Sequence, residues 1–245
     1  MNEARPNEIL SAQKIEHKVY KQTLRPRGYN LKMDKNKLAV SIFDKYAKEY
    51  AEKFMNVSSY ADTLDVFCGG IKKRNAEILE LACGPGNITK YLLDKRPDFK
   101  ILGTDLSPNM ISLAKINNPQ AEFQLMDCRD ADKIAKKYDG IMCSFCLPYL
   151  SKEETIKLIP GTSKILNPGG ILYLSTMEDD YSKSGFKKGS KGDDIYMHYH
   201  EFSYLSKALA ENNFKIIQVK RQDYEDQQGT KDVDLILIAT KLLVP

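Results

Sequence analysis

The chain has 245 residues, 42% hydrophobic and 29% charged, the balance of a globular protein with room for one large core or at most two small ones. No apolar run approaches the roughly 20 residues that span a bilayer, MNEARPNEILSAQK has neither the apolar stretch nor the cleavage site of a secretory leader, and KLLVP matches no retention or lipidation signal. Lysine and arginine exceed the carboxylates by 37 to 33, but residues 1–37 alone hold nine basic and four acidic side chains, so the rest is nearly neutral and lacks the basic excess of a nucleic-acid-tracking enzyme.

Residues 1–32 are polar and basic, with Pro6 and the turn-like Arg25-Pro-Arg-Gly28. They read as a flexible arm carrying a short helix at 8–22, ahead of one folded domain over 33–245. Leu38, Val40, Ile42, Phe43, Tyr46, Ala47, Tyr50, Ala51 and Phe54 recur at helical spacing, which predicts one helix over 38–54. A second is expected from Ser58 to Phe67, ended by Gly69-Gly70. These two form a cap over 33–74.

Short apolar runs then alternate with helical segments. Strands are expected at 77–81, 100–104, 122–125, 140–145 and 171–176, with helices at 87–94, 108–116, 131–137 and 152–166 between them. That alternation implies right-handed βαβ units and a parallel sheet covered on both faces. Residues 178–199 read as irregular. A helix over 201–212 leads to strands at 214–219 and 233–240, joined by a loop over 221–231. No helix separates those last two, so they are expected to pair antiparallel.

The five cysteines, Cys68, Cys83, Cys128, Cys143 and Cys146, are an odd number for a disulfide framework. They read as buried free thiols of a reducing, cytoplasmic compartment. Cys143-Ser-Phe-Cys146 has redox spacing, but without a second such pair or a nearby histidine no metal site is expected.

The chemistry concentrates where Ile78-Leu-Glu-Leu-Ala-Cys-Gly-Pro-Gly86 runs off a strand into a helix. Glycines there permit a sharp turn and close approach of a ligand to free helix N–H groups. The next strand ends in Asp105, about 20 residues on, as expected of a carboxylate that grips both ribose hydroxyls of an adenosine ligand.

Several segments together resemble the class I S-adenosylmethionine (SAM)-dependent methyltransferases. Glu80-x-x-x-Gly84-x-Gly86 is similar to their first motif, and Thr104-Asp-Leu-Ser-Pro-Asn-Met110 to the second strand and following helix. Gln124-Leu-Met-Asp127, Tyr138–Tyr149 and Leu166-Asn-Pro-Gly-Gly-Ile-Leu172 match the third, fourth and fifth strands in order, and Phe43–Tyr50 resembles the FDxxAxxY cap of the UbiE and BioC-like branch. The resemblance implies a Rossmann-like, seven-stranded, mostly parallel sheet with helices on both faces, the last strand antiparallel, and an N-terminal helical cap. It makes 75–176 the SAM-binding core and 177–245 a substrate-side segment with closing strands.

It also implies roles. Gly84 and Gly86 would pass close to the methionine portion of SAM, with Glu80 beneath them. Asp105 would hold the ribose, and Leu106 and Met110 the two faces of the adenine. Asp127 with the backbone of Cys128 would read the adenine edge. Ser144 would lie near the methionine moiety, and Tyr50, with Tyr46 less directly, would close the pocket. Ala82 stands where the family usually has glycine, at a position where small size matters. Other readings remain for single residues: Glu80 or Asp105 as a helix cap, Leu106 and Met110 as a core stripe.

Methyl transfer from a sulfonium needs mainly alignment and exclusion of water, and a base only for acceptors of high pKa. Ser144 and Pro148 replace the Asn and His common in relatives. His198 and His200, in Tyr196-Met-His-Tyr-His200, are therefore the candidate catalytic residues, the third histidine being His17 in the arm. His200 as a helix cap is the competing reading. Lys187, Lys188 and Lys191 could draw an anionic acceptor or keep a lid soluble. The expected partner is a small-molecule methyl acceptor, with S-adenosylhomocysteine (SAH) as product. Two rivals stand beside this one: a nicotinamide-dependent oxidoreductase, which lacks a third glycine at Thr89, and a non-catalytic SAM-binding scaffold. A macromolecule methyltransferase has only the partial echo Pro148-Tyr149 in its favour.

Overall fold

The computed structural model describes residues 34–189, 191–225 and 231–243, with the backbone alone at 224, 225 and 231. The expected arm and His17 lie outside the described residues.

Strand β1 (Glu77–Leu81) explains the architecture. Its alternating side chains serve two different layers: Leu79 and Leu81 pack on one face of the sheet, Ile78 on the other. Both sets are fully buried, as a central strand with two covered faces requires. The same period-two division runs through β4 (Tyr138–Cys143) and β5 (Leu166–Glu178), where Ile141, Leu172 and Leu174 face one layer and Met142, Ile171 and Tyr173 the other.

Seven strands form one sheet in the order β3-β2-β1-β4-β5-β9-β8, from β2 (Lys100–Asp105) and β3 (Glu122–Leu125) at one end to β8 (Phe214–Glu225) and β9 (Lys231–Lys241) at the other. The first five are parallel, and β9 is antiparallel to both β5 and β8. Helices α1 (Lys35–Lys45), α2 (Ala47–Phe54) and α3 (Ala61–Gly70) precede β1, and α4 (Asn87–Lys95), α5 (Pro108–Asn117), α6 (Lys152–Ile165) and α7 (Phe202–Glu211) follow in turn. Core side chains of α3 and α4, such as Phe67 and Leu92, fill one face; Leu158 of α6 and Leu205 of α7 fill the other. The sheet order reverses between β1 and β4, and at such a switch point the strand ends leave a crevice.

Four expectations need correction. The single cap helix over 38–54 is two helices, because Tyr46 leaves helical dihedrals (φ −112°, ψ 25°) and its hydroxyl donates to Asp193 at 2.6 Å. No α-helix forms over 131–137. Asp127 accepts the Arg129 N–H and starts a 3-10 run over Cys128–Lys133, and Ile134 is already extended. Residues 178–199 are not irregular throughout: Gly185–Lys188 (β6) and Asp194–Met197 (β7) pair antiparallel around a turn that Gly192 makes with φ +87°. Finally, β8 continues to Glu225, so 221–225 belong to strand rather than loop.

Candidate active site

The turn after β1 is held to the end of β2 before any ligand is considered. The Gly84 N–H donates to Asp105 Oδ2 at 2.9 Å, and the Ser107 N–H to Oδ1 at 2.8 Å. Each carboxylate oxygen keeps accepting capacity beyond those bonds. Burial raises Asp105 above its ordinary range, partly offset by those backbone donors.

Both glycines expected at the turn have positive φ, +54° at Gly84 and +80° at Gly86, but they do different things. A Cβ on Gly84 would stand 3.9 Å from the Tyr50 ring, so this backbone faces the roof of a cleft. At Gly86 a Cβ would meet Asn118 Nδ2 at 2.4 Å and Ala114 at 3.3 Å, so this glycine lets α5 pack against the start of α4. Ala82 also lies at positive φ (54°), so the position asks for a left-handed backbone as well as small size.

The cleft that opens here encloses about 760 Å³ of empty space, its open mouth included. Tyr50, Ala82, Gly84, Asp105, Leu106, Met110, Asp127, Cys128 and Ser144, all expected from sequence, line it together. Glu80 and Gly86 do not. Glu80 is buried under the turn, accepts a hydrogen bond from the Thr89 hydroxyl, and is pushed by burial up to about 8.

An aromatic row roofs the cleft. Phe43 of α1 meets Tyr50 edge-on at 5.6 Å and Tyr149 at 5.0 Å, and Tyr50 meets Phe54 at 4.7 Å. Burial, with the Asp105 charge nearby, pushes the Tyr50 phenol up to about 12, so it stays neutral.

Other lining or supporting residues were not singled out by the sequence. Phe145 has φ +51° and lines the cleft just after β4; its N–H donates to Ser175 Oγ at 2.9 Å. A bulky side chain at positive φ is a strained feature of the kind that clusters at functional sites, and nothing in the residue pattern announces it. Arg129 gathers three carboxylates, donating to Asp127 at 2.7 Å, Glu154 at 2.8 Å and Asp34 at 3.1 Å. The Cys128 and Cys146 thiols, both at the cleft, are 3.4 Å apart.

Neither candidate histidine lines the cleft. His200 is fully buried; Nε2 donates to the Leu147 carbonyl at 2.8 Å and Nδ1 accepts from the Tyr204 hydroxyl, an arrangement that fixes a neutral ring. Burial pulls it down to about 4. His198 Nδ1 is 3.2 Å from the Tyr181 hydroxyl, and its N–H donates to the Pro148 carbonyl at 2.8 Å. Tyr46 and Lys45 bond Asp193 of the β6–β7 turn. Among Lys187, Lys188 and Lys191, Lys187 bonds the Tyr199 hydroxyl and lies 3.6 Å from Asp232.

Residues 78–170 match the profile of a family described as a methyltransferase domain. That match, on the fold described above, supports a class I SAM-dependent methyltransferase. Among curated relatives, a trans-aconitate 2-methyltransferase of Variovorax paradoxus is 36% identical over 99 residues, 40% of this chain and 38% of that protein. A malonyl-[acyl-carrier protein] O-methyltransferase of Acetivibrio thermocellus is 33% identical over 138 residues, 55% of this chain and 44% of that protein. The chain thus spans less than half the length of these methyltransferases. The magnesium protoporphyrin IX methyltransferase of Synechocystis, solved with bound SAM, superposes with a TM-score of 0.63 at 17% identity, covering 87% of this chain and all of the other. At that identity the likeness concerns the methyltransferase fold alone.

Proposed function

We propose that this methyltransferase-family chain binds SAM in the cleft between β1, β2 and β4 and transfers its methyl group to a small-molecule acceptor. The observation that carries the reading is the convergence of the Gly84 turn, Asp105 and Asp127 on one cleft under an aromatic roof. Bound there, SAM supplies a methyl group already activated by the sulfonium.

The chain's own residues then have to hold, orient and shield. Asp105, fixed by two backbone N–H donors, faces the ribose hydroxyls. Leu106 and Met110 offer apolar faces to the adenine. Asp127, held from behind by Arg129, and the backbone of Cys128 meet its edge. Gly84 lets the backbone approach the methionine portion, with Ser144 near it. Gly86 and Glu80 work from behind the turn, the first by helix packing and the second as a buried charge reserve. Electron-rich rings of Tyr50 and Phe43 suit a neighbouring cation and exclude water.

His200, with both ring nitrogens engaged, is better suited to bracing the segment after β4 than to taking a proton. His198 braces the same segment through its backbone. This replaces the catalytic role expected for both. The nicotinamide alternative is not favoured: Thr89, in place of the third glycine, is fully buried and spent on Glu80.

Calorimetry with SAH and with NADH tests the reading. Heat with SAH and none with NADH is expected, followed by labelling of a low-molecular-weight acceptor when the protein and methyl-labelled SAM are added to a cell extract. No heat with SAH, or label confined to macromolecules, refutes it.

A further inference from the structure

One buried polar atom of the cleft is left without a hydrogen-bond partner. Asn36, at the start of α1, is 8% exposed and lines the cleft. Its amide Nδ2 donates to the Tyr149 carbonyl at 3.3 Å, which commits the nitrogen and turns the side chain's oxygen to a place where nothing meets it. Among the described residues, only Asn118 Oδ1, Tyr138 OH and Thr155 Oγ1 share that condition, and none of them lines this cleft. A buried acceptor left unpaired is costly, and in a binding site it marks where a ligand donor belongs.

The position of Asn36 narrows the choice of donor. Two residues earlier, Asp34 caps α1 and is bound by the same Arg129 guanidinium that holds Asp127. On its other side, Asn36 bonds the Tyr149 backbone, three residues beyond Cys146, whose thiol touches that of Cys128. Asn36 is therefore tied, on both sides, to the part of the cleft that Asp127 and Cys128 line. Ala39, Val40 and Phe43, the other cleft-lining side chains of α1, are apolar, so Asn36 is the one hydrogen-bonding side chain this helix brings to the cleft.

Building on the cofactor reading above, we infer that Asn36 Oδ1 accepts a hydrogen bond from the exocyclic amine of the adenine. That amine carries two N–H bonds. Asp127, which lines the cleft with both oxygens already bonded by Arg129, can take only one of them well. Asn36 supplies the second acceptor, from the cap rather than from the sheet. The cap helix thereby reads the base, and closing it over the cleft is coupled to having adenine there.

The test compares two ligands on two proteins by calorimetry: SAH, and the analogue whose adenine is replaced by unsubstituted purine, which lacks the amine. The proteins are the wild type and Asn36→Ala. Loss of the acceptor is expected to weaken SAH roughly five- to tenfold while leaving the purine analogue nearly unchanged, so the ratio between the two ligands narrows. Because the ratio is taken on one protein at a time, a general loosening of α1 cancels. Equal weakening of both ligands, or no weakening of either, overturns the assignment while leaving the cofactor reading intact. Failure of the wild type to bind SAH at all removes both.

Discussion

The backbone N–H of Gly84 donates to the carboxylate of Asp105 at 2.9 Å, so the turn after the first strand and the end of the second are one hydrogen-bonded unit. Ser107 N–H engages the other oxygen of the same carboxylate. Asp105→Asn therefore cannot be a mild change. An amide has one acceptor oxygen, and its NH2 would face a backbone donor. We expect the variant to lose about 2 kcal/mol of stability and roughly a hundredfold in SAH affinity, measured by urea unfolding and calorimetry. Wild-type behaviour in both would show that the carboxylate is dispensable.

Glu80 makes cofactor binding depend on pH. Its buried carboxyl is pushed up to about 8, so near neutrality it is largely protonated. A cationic ligand above it favours the charged form, and binding then releases a proton. SAM affinity should rise with pH up to about 8 and level off above it. Titrations in two buffers of different ionisation enthalpy will read the proton released, and Glu80→Gln should abolish it. In the free protein the sign is opposite. A raised carboxyl costs nothing below pH 4.5, and stability falls as pH climbs from there toward 8.

His200 gives a slope in the other direction. Its pKa is pulled from 6.5 down to about 4, so the unfolded chain takes up a proton that the folded one refuses. Stability is intact above pH 6.5 and is lost as pH falls through the window down to about 4. The loss amounts to up to about 3 kcal/mol. His200→Gln should flatten that part of the stability profile in chemical denaturation, and a slope that persists unchanged would place its origin elsewhere.

Ala82 holds φ at 54°, where an L side chain is strained and glycine is not. Ala82→Gly is expected to stabilise the fold by up to about 1 kcal/mol, the gain being reduced by the greater freedom of glycine in the unfolded chain. A destabilised variant would mean that the methyl group's packing outweighs the strain.

Removing the charge that unites Asp34, Asp127 and Glu154 leaves three carboxylates facing one another. Arg129→Met should cost about 2 kcal/mol, less than for a fully buried cluster because part of this one meets solvent. It should also weaken SAH, since Asp127 loses its support. High salt should partly restore stability in thermal melts of the variant.

Much of this was legible in the sequence because the relevant signals are local. A short apolar strand running into Gly84-x-Gly86 specifies both a βα turn and an anion- or ligand-facing backbone. Asp105 ends its strand and Asp127 lies two residues past the end of its own, so their positions follow once the strands are found. The residues that were missed act across long separations: Asn36 bonds Tyr149 and Arg129 bonds Asp34, contacts that no periodicity encodes. Two partners of the histidines are remote in sequence as well. Tyr196-Met-His-Tyr-His200 has the composition of a catalytic loop, but the side chains are drawn inward by Leu147, Tyr181 and Tyr204. In place of the helix expected over 131–137, an Asx turn at Asp127 started a tighter one earlier.

Helix α1 is fastened at both ends. At one, Asp34 is bound to Arg129; at the other, Asp44 accepts from Ser107 Oγ at 2.6 Å and from the Asn109 N–H at 2.9 Å. Any displacement of this helix from the cleft therefore has to break one of these two sets of contacts. Both sets include a carboxylate, so dissolved salt loosens the seat of the helix over the cleft.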